Sequence, residues 1–148
     1  MLGIGKIREP YFREAIDEYS RRIGYYAPIR VRDSAKEISG SAQDLEAAYG
    51  RLKKEHHKAD LKVALDRKGR TLSSEELAAW FEKAMFNSVD LISFVIGGPH
   101  GLAGSALTDS DQTISLGAVT LPHQMARLLL VEQVYRAFTI IRGEPYHK

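Results

Sequence analysis

The chain contains 148 residues, 44% of them hydrophobic and 27% charged, so we expect one globular domain (residues 1–148) with a sizeable buried core. It has no cysteine, which excludes a disulfide framework and thiolate chemistry and fits a cytoplasmic location. The net charge of +2 is too small to indicate nucleic-acid binding by itself, and no apolar run approaches the ~20 residues of a membrane span. The start of the chain also lacks the apolar region of a signal peptide.

The first third of the chain predicts two short strands and two helices. Residues 2–7 form a candidate strand weakened by two glycines, and residues 29–33 alternate as a half-exposed strand does. Between them, Pro10 suits the first turn of a helix and Gly24 suits its end. A second helix begins after Ser41, whose side chain and Asp44 form a weak capping signal.

A basic run, residues 51–58, closes this second helix. We expect a solvated last turn, where cations are favoured by the helix dipole, and the alternative is a contact with an RNA backbone. His56 and His57 are adjacent in this run. On a helix their side chains point about 100° apart, and no third ligand accompanies them, so we expect no metal site.

The second half of the chain repeats strand, turn and helix. Residues 61–66 predict a strand followed by a polar turn at residues 67–70, and Ser73 with Glu76 forms a capping box that starts a helix. Residues 91–96 are almost continuously apolar, as a central parallel strand is. Residues 114–121 predict one more strand and its turn, and Pro122 starts a last helix that runs to about Ile141. This alternation predicts an α/β fold with a mostly parallel sheet flanked by helices.

Two turns in this half are candidate ligand sites, because ligands bind at the carboxyl ends of parallel strands. Residues 97–101, Gly-Gly-Pro-His-Gly, match neither a dinucleotide fingerprint nor a P-loop, and the pattern fits a plain tight turn equally well. Residues 116–121 carry no acid–base side chain except the Thr120 hydroxyl. Their apolar side chains suit an adenine ring or a thioether better than a metal ion or a bare phosphate.

The last helix is apolar nearly all the way round, which predicts full burial, partly against a second subunit. We therefore expect a symmetric homodimer. Arg127, Glu132 and Arg136 interrupt the apolar surface, and the simplest expectation is that they pair with one another. The tail, residues 142–148, carries cations, an aromatic ring and an imidazole, although the usual expectation for such an end is a frayed polar segment.

Four sequence blocks together carry a family likeness. They are VIGGPHGL (residues 95–102), TLPHQMAR (120–127), EQVYRAF (132–138) and RGEPYHK (142–148). In combination they closely resemble the small SPOUT-class methyltransferases, and specifically the bacterial large-subunit methyltransferase H family, which methylates N3 of a pseudouridine in 23S rRNA. The resemblance covers nearly the whole chain.

The resemblance implies a SPOUT-type α/β fold with a C-terminal trefoil knot, a homodimer, and S-adenosyl-L-methionine as methyl donor. It implies a substrate pseudouridine in the helix 69 loop of 23S rRNA within the assembled ribosome, with no metal and no membrane. The family's cofactor contacts fall on these positions of the chain: Leu65, Gly97, Leu116, Gly117, Ala118, Val119, Thr120 and Leu121.

The mechanism expected of such an enzyme needs a group that takes the N3 proton of the base. His147 is the candidate general base, Tyr146 the candidate for stacking on the base, and Arg142 the candidate for binding uracil oxygens or a phosphate. The tail acts across the dimer in this hypothesis, and His123 is the rival base. Two alternatives remain: a SPOUT enzyme acting on tRNA, and a non-catalytic dimeric ribosome-assembly module.

Overall fold

A five-stranded parallel sheet forms the centre of the computed structural model, which describes residues 1–34 and 40–148. The strand order is β2-β1-β4-β3-β5, and every strand pair in the described residues is parallel. The strands are β1 (Leu2–Gly3), β2 (Arg32–Asp33), β3 (Leu61–Thr71), β4 (Ile92–Ile96) and β5 (Gln112–Ser115). The helices are α1 (Pro10–Ile23), α2 (Ala42–His56), α3 (Ser74–Phe86), α4 (Gly104–Thr108) and α5 (His123–Ile141). This confirms the predicted α/β fold, while the trefoil knot stays a prediction.

Local signals set the helix ends. Pro10 opens α1, and Gly24 follows its last residue, as predicted. The Ser41 hydroxyl accepts a hydrogen bond from the Asp44 amide at the start of α2. At α3 both halves of the capping box form, because Ser73 accepts from the Glu76 amide and the Glu76 carboxylate accepts from the Ser73 amide.

The helices cover both faces of the sheet, because alternate residues of the central strands point to opposite sides. Val63 and Leu65 of β3 pack with α1, α3 and α5 in one apolar cluster. Ala64 lies in a second cluster with residues of α2 and α4. The nearly continuous apolar sequence of β4 follows from this arrangement, since both of its faces are buried.

Several predicted boundaries were wrong. The predicted polar turn at residues 67–70 lies within β3, which is irregular between Leu65 and Arg70 and pairs with β5 on both sides of the irregularity. The strand and turn predicted for residues 114–121 are present, but the strand, β5, begins two residues earlier, at Gln112, and ends at Ser115. The two N-terminal strands have only two residues each, and the short helix α4 was not predicted.

Within the single chain, the last helix is only partly buried, so its predicted full burial against a second subunit stays a prediction. Six residues of α5 are buried, whereas Met125 is 42% exposed and several other apolar residues are half-buried. Glu132 and Arg136 pair as expected, with 2.6 Å between Arg136 Nη2 and Glu132 Oε1. Arg127 does not join them, because its guanidinium turns inward to the start of the chain.

The basic run at the end of α2 is also only partly a solvated turn. The imidazole of His56 is fully buried and lies 2.9 Å from Ser93 Oγ and 3.1 Å from Ser110 Oγ. Burial lowers the pKa of His56 to about 4, so the ring is neutral near pH 7. His57, by contrast, is exposed and lies 3.0 Å from the Asp109 carboxylate.

Candidate active site

The carboxyl ends of three strands meet at one edge of the sheet. Leu65 of β3 is in register with Ile96 of β4 and with Ile114 of β5. Gly97 directly follows Ile96, and Leu116 follows two residues after Ile114. The structure therefore brings the predicted residues Leu65, Gly97 and Leu116 to neighbouring strand ends.

The turn after β4 is closed by its own backbone. The amide of Gly98 donates to the carbonyl of Gly101 at 3.2 Å, and the amide of Gly101 donates back at 3.0 Å. A Cβ atom on Gly97 would lie 2.5 Å from the carbonyl carbon of Gly101, so only glycine fits there. The requirement for glycine at this position is thus explained by the turn itself.

The turn after β5, residues 116–121, is open. The Ser115 hydroxyl donates to the carbonyl of Gly117, which has a φ of 124° that side-chain-bearing residues avoid. Among the described residues, none forms a backbone–backbone hydrogen bond with residues 118–121. Val119 is 70% exposed, and Ala118 and Thr120 are exposed as well. Peptide donors and acceptors beside apolar side chains are thus available to a ligand.

A cavity of about 230 Å³ lies beside this turn, between the start of α3, the end of β5 and the middle of α5. Leu116 is the predicted cofactor residue that lines it. A larger groove of about 760 Å³ runs between α3 and β5 around Trp80, and none of the predicted site residues lines that groove. Size alone therefore does not identify the site, and the strand-end geometry favours the smaller cavity.

The tail is packed against the same chain. The Tyr146 hydroxyl donates to Glu132 Oε1 at 3.1 Å and lies 3.2 Å from the Tyr19 hydroxyl. Its ring contacts the Tyr135 ring edge-on and lies 4.7 Å from the Arg136 guanidinium carbon. Burial is the main cause that raises the pKa of Tyr146, so its hydroxyl keeps its proton. Stacking on a base would require this ring to leave these contacts.

The other two predicted tail residues lie in different surroundings. His147 is held at both ring nitrogens, with Nε2 at 2.9 Å from Glu75 Oε1 and Nδ1 at 3.3 Å from Arg136 Nη1. Arg142 is exposed and follows the last residue of α5.

The tail and the cavity are neighbours. The Ser74 hydroxyl donates to the Gln133 side chain at 2.7 Å, and the Gln133 amide donates to Glu132 at 2.7 Å. Ser74 and Gln133 both line the cavity, while Glu132, the residue next to Gln133, binds Tyr146. Within one chain, the structure thus places the tail beside the cavity that Leu116 lines.

The rival base, His123, begins α5 and is half-buried. Burial, followed by the nearby charge of Arg127, lowers its pKa. The start of α5 has no side-chain cap, so His123 does not serve there as one.

Sequence reasoning missed the role of Arg127. Its side chain is fully buried, and it donates to the Asp33 carboxylate at 2.9 Å and to the carbonyls of Ile4 and Gly5 at 2.6 and 3.0 Å. Its guanidinium lies flat on Gly3, where a Cβ atom would be 2.4 Å from Cζ. The signal available in the sequence was an arginine with no acidic residue three or four positions away on an apolar helix. Its effect is to fix the start of α5, directly after the open turn, on the first residues of the chain.

Comparison with known proteins decides the family. The sequence model of the predicted SPOUT methyltransferase family matches residues 1–147. Proteins from Listeria monocytogenes and Syntrophomonas wolfei, both named ribosomal RNA large subunit methyltransferase H, are 42% and 37% identical to this chain. Each alignment covers 100% of this chain and 98% of the relative. The chain belongs to the SPOUT methyltransferase family. The resemblance of the four sequence blocks is thus confirmed.

Solved structures of low sequence identity share the SPOUT fold of this chain. A probable methylase family protein from Haemophilus influenzae superposes with a TM-score of 0.58 at 15% identity, covering 99% of this chain and 69% of that protein. A probable methyltransferase from Bordetella pertussis gives a TM-score of 0.53 at 13% identity, covering 92% of this chain and 94% of that protein.

The described residues offer neither a metal centre nor a membrane-spanning helix. In the described ranges, no group of three or more His, Asp or Glu side chains is arranged to hold a metal ion. Over the same ranges, no helix is long and apolar enough to cross a membrane.

Proposed function

We propose that this SPOUT methyltransferase transfers a methyl group from S-adenosyl-L-methionine to N3 of a pseudouridine in the helix 69 loop of 23S rRNA. The observation that carries the proposal is the full-length likeness to proteins named ribosomal RNA large subunit methyltransferase H. The substrate comes from those names and from the sequence blocks. The proposed setting is the cytoplasm, where the ribosome is the partner.

The proposed cofactor site consists of Leu65, Gly97 and residues 116–121. Its support is the convergence of three strand ends and the unpaired backbone of residues 118–121 among the described residues. Adenine needs backbone hydrogen bonds and apolar walls, and this turn offers both. When bound, S-adenosylmethionine supplies an electrophilic methyl group on a sulfonium.

The proposed substrate site is the tail. His147 takes the N3 proton, Tyr146 stacks on the base, and Arg142 binds uracil oxygens or a phosphate. Its support is that the tail lies beside the cavity lined by Leu116, with Arg142 exposed to a large substrate.

The proposed assembly is a homodimer of single SPOUT domains (residues 1–148). Met125, 42% exposed on α5, and the half-buried apolar residues beside it support a second subunit on this helix.

Isotopic methyl transfer tests the proposal. Purified protein and labelled S-adenosylmethionine are incubated with ribosomal subunits, with tRNA and without RNA, and the methylated nucleotide is mapped by mass spectrometry. Label on pseudouridine N3 of 23S rRNA supports the proposal. Label on tRNA supports the tRNA enzyme, and no label on any RNA supports the non-catalytic assembly module.

A further inference from the structure

Glu75, in the first turn of α3, holds the imidazole of the tail. One carboxylate oxygen, Oε1, lies 2.9 Å from His147 Nε2. The other, Oε2, accepts a hydrogen bond of 2.8 Å from the Ser73 hydroxyl. That hydroxyl also caps the helix by accepting from the Glu76 amide. The carboxylate is therefore oriented by the capping box, although its side chain is 63% exposed.

The carboxylate of Glu75 is ionised throughout the working pH range. Its own backbone amide, the Ser73 hydroxyl and His147 lower the pKa of Glu75 to about 2. An ionised carboxylate only accepts hydrogen bonds. The nitrogen of His147 that faces it, Nε2, must therefore carry a proton.

The other ring nitrogen is defined by Arg136. Its Nη1 lies 3.3 Å from His147 Nδ1, and a guanidinium has no acceptor, so Nδ1 is the unprotonated nitrogen in the neutral ring. Glu132 holds Arg136 in place, with Nη2 and Nε at 2.6 and 3.0 Å from Glu132 Oε1. The two ring nitrogens of His147 thus meet opposite charges, and only the neutral tautomer with the proton on Nε2 satisfies both.

We propose that Glu75 is a positioning residue that sets His147 in the Nε2–H tautomer and leaves Nδ1 as the proton-accepting atom. In the structure, Arg136 Nη1 faces Nδ1. In the complex with substrate, the N3–H group replaces Arg136 as the hydrogen-bond donor to Nδ1. This inference rests on the proposed function, in which His147 is the base. A carboxylate that orients a histidine is a general device for activating a base.

The proton and electron balance fits this arrangement. The N3–H proton goes to Nδ1, the electron pair of that bond forms the new N3–methyl bond, and the pair of the S–methyl bond stays on sulfur. The positive charge moves from the sulfonium to the imidazolium, which Glu75 faces directly. The imidazolium then releases its proton to water.

The test is the tautomer of His147, measured in the full-length protein from the ring nitrogen shifts of 15N-histidine. Wild type should show the Nε2–H form above the range in which the ring is protonated. Glu75→Gln should lose that preference, because an amide can donate as well as accept. Glu75→Asp should keep it in part. Glu82→Gln, an exposed change on the same helix, is the matched control and should leave the tautomer unchanged.

Kinetics give the second readout. In Glu75→Gln we expect kcat for ribosome methylation to fall about tenfold with the KM for S-adenosylmethionine unchanged, since only the base is misplaced.

Each outcome decides one idea. An unchanged His147 tautomer in Glu75→Gln overturns the positioning role, as does an unchanged kcat in an enzyme that methylates ribosomes. If wild type methylates no ribosomal substrate, the proposed function fails. The ring nitrogen shifts still report whether Glu75 selects the tautomer in that case.

Discussion

The open turn at residues 116–121 and the tail at residues 142–148 contrast in how their polar groups are satisfied. Residues 118–121 carry backbone groups with no backbone partner in the described part of the chain. In the tail, Tyr146 and His147 are bonded to Glu132, Arg136 and Glu75. The turn after β5 is thus open, and the tail, whose sequence suggests a frayed end, is held by side chains. A ligand can add hydrogen bonds at the turn, whereas at the tail it must replace existing ones.

Among the changes that test this comparison, deleting residues 146–148 should have the largest effect on methylation. We expect ribosome methylation to fall at least 100-fold, because general-base catalysis contributes factors of about 10² to 10⁴. Folding and S-adenosylmethionine affinity should persist, since the open turn is untouched. Methyl transfer, calorimetry and circular dichroism measure the three quantities. Full activity of the truncated protein would show that the tail has no chemical role.

Replacing Arg127 tests what holds the start of α5 behind the open turn. Arg127→Met leaves the Asp33 carboxylate and the Ile4 and Gly5 carbonyls without their donor, which should cost about 3 kcal/mol of unfolding free energy. Urea denaturation measures it. The control is Arg21→Met, which breaks an exposed pair with Glu18 and should barely change the midpoint. Equal midpoints for the two variants would contradict the stabilising role of Arg127.

The buried imidazole of His56 should make the free energy of unfolding depend on pH. His56 has a folded pKa of about 4 against 6.5 when exposed, so the unfolded chain binds the extra proton between these values. This group should therefore lower stability as pH drops from about 6.5 to 4, by up to about 3 kcal/mol. Urea unfolding at several pH values measures this. His57→Gln should keep the slope and His56→Gln should reduce it, and equal slopes in the two variants would refute the assignment.

A smaller effect is expected at the turn itself. Gly117→Ala imposes a side chain on a φ of 124°, a strain of about 1–2 kcal/mol, so S-adenosylmethionine affinity should fall about tenfold. Calorimetry measures the affinity. The control is Gly50→Ala on α2, where an added Cβ atom meets nothing within 4 Å. This substitution should slightly stabilise the helix and leave the affinity unchanged. Unchanged affinity in Gly117→Ala would remove this turn from the cofactor site.

Features of the fold that depend on residues close together in the sequence could be predicted. The capping box of Ser73 and Glu76 was predicted because both partners lie within four residues. The parallel sheet was predicted because burial on both faces makes residues 91–96 continuously apolar. A strand and its turn were predicted at residues 114–121, but the pattern did not show that the strand begins at Gln112 and ends at Ser115. The polar residues 67–70 were taken for a turn, although β3 continues through them with Gly69 packed against the Ile114 backbone.

The candidate site divides in the same way. The convergence of Leu65, Gly97 and Leu116 follows from parallel topology, which the pattern of elements predicts. The contacts of Arg127 with Asp33 and of His147 with Glu75 join residues 94 and 72 positions apart. No local rule anticipates such pairs. The family resemblance supplied roles for the tail but not the partners that hold it.

The contact between Arg127 and the start of the chain spans nearly the whole sequence. Arg127 Nη2 and the Ile4 carbonyl are separated by 123 positions, so this contact closes nearly the whole chain into a loop. β1 has only two residues and cannot hold its place through its own pairing. Leu2 and Ile4 also pack with residues of α2 and β4. The contact with Arg127 therefore adds a link from the last helix to a chain start that already lies against the middle of the chain.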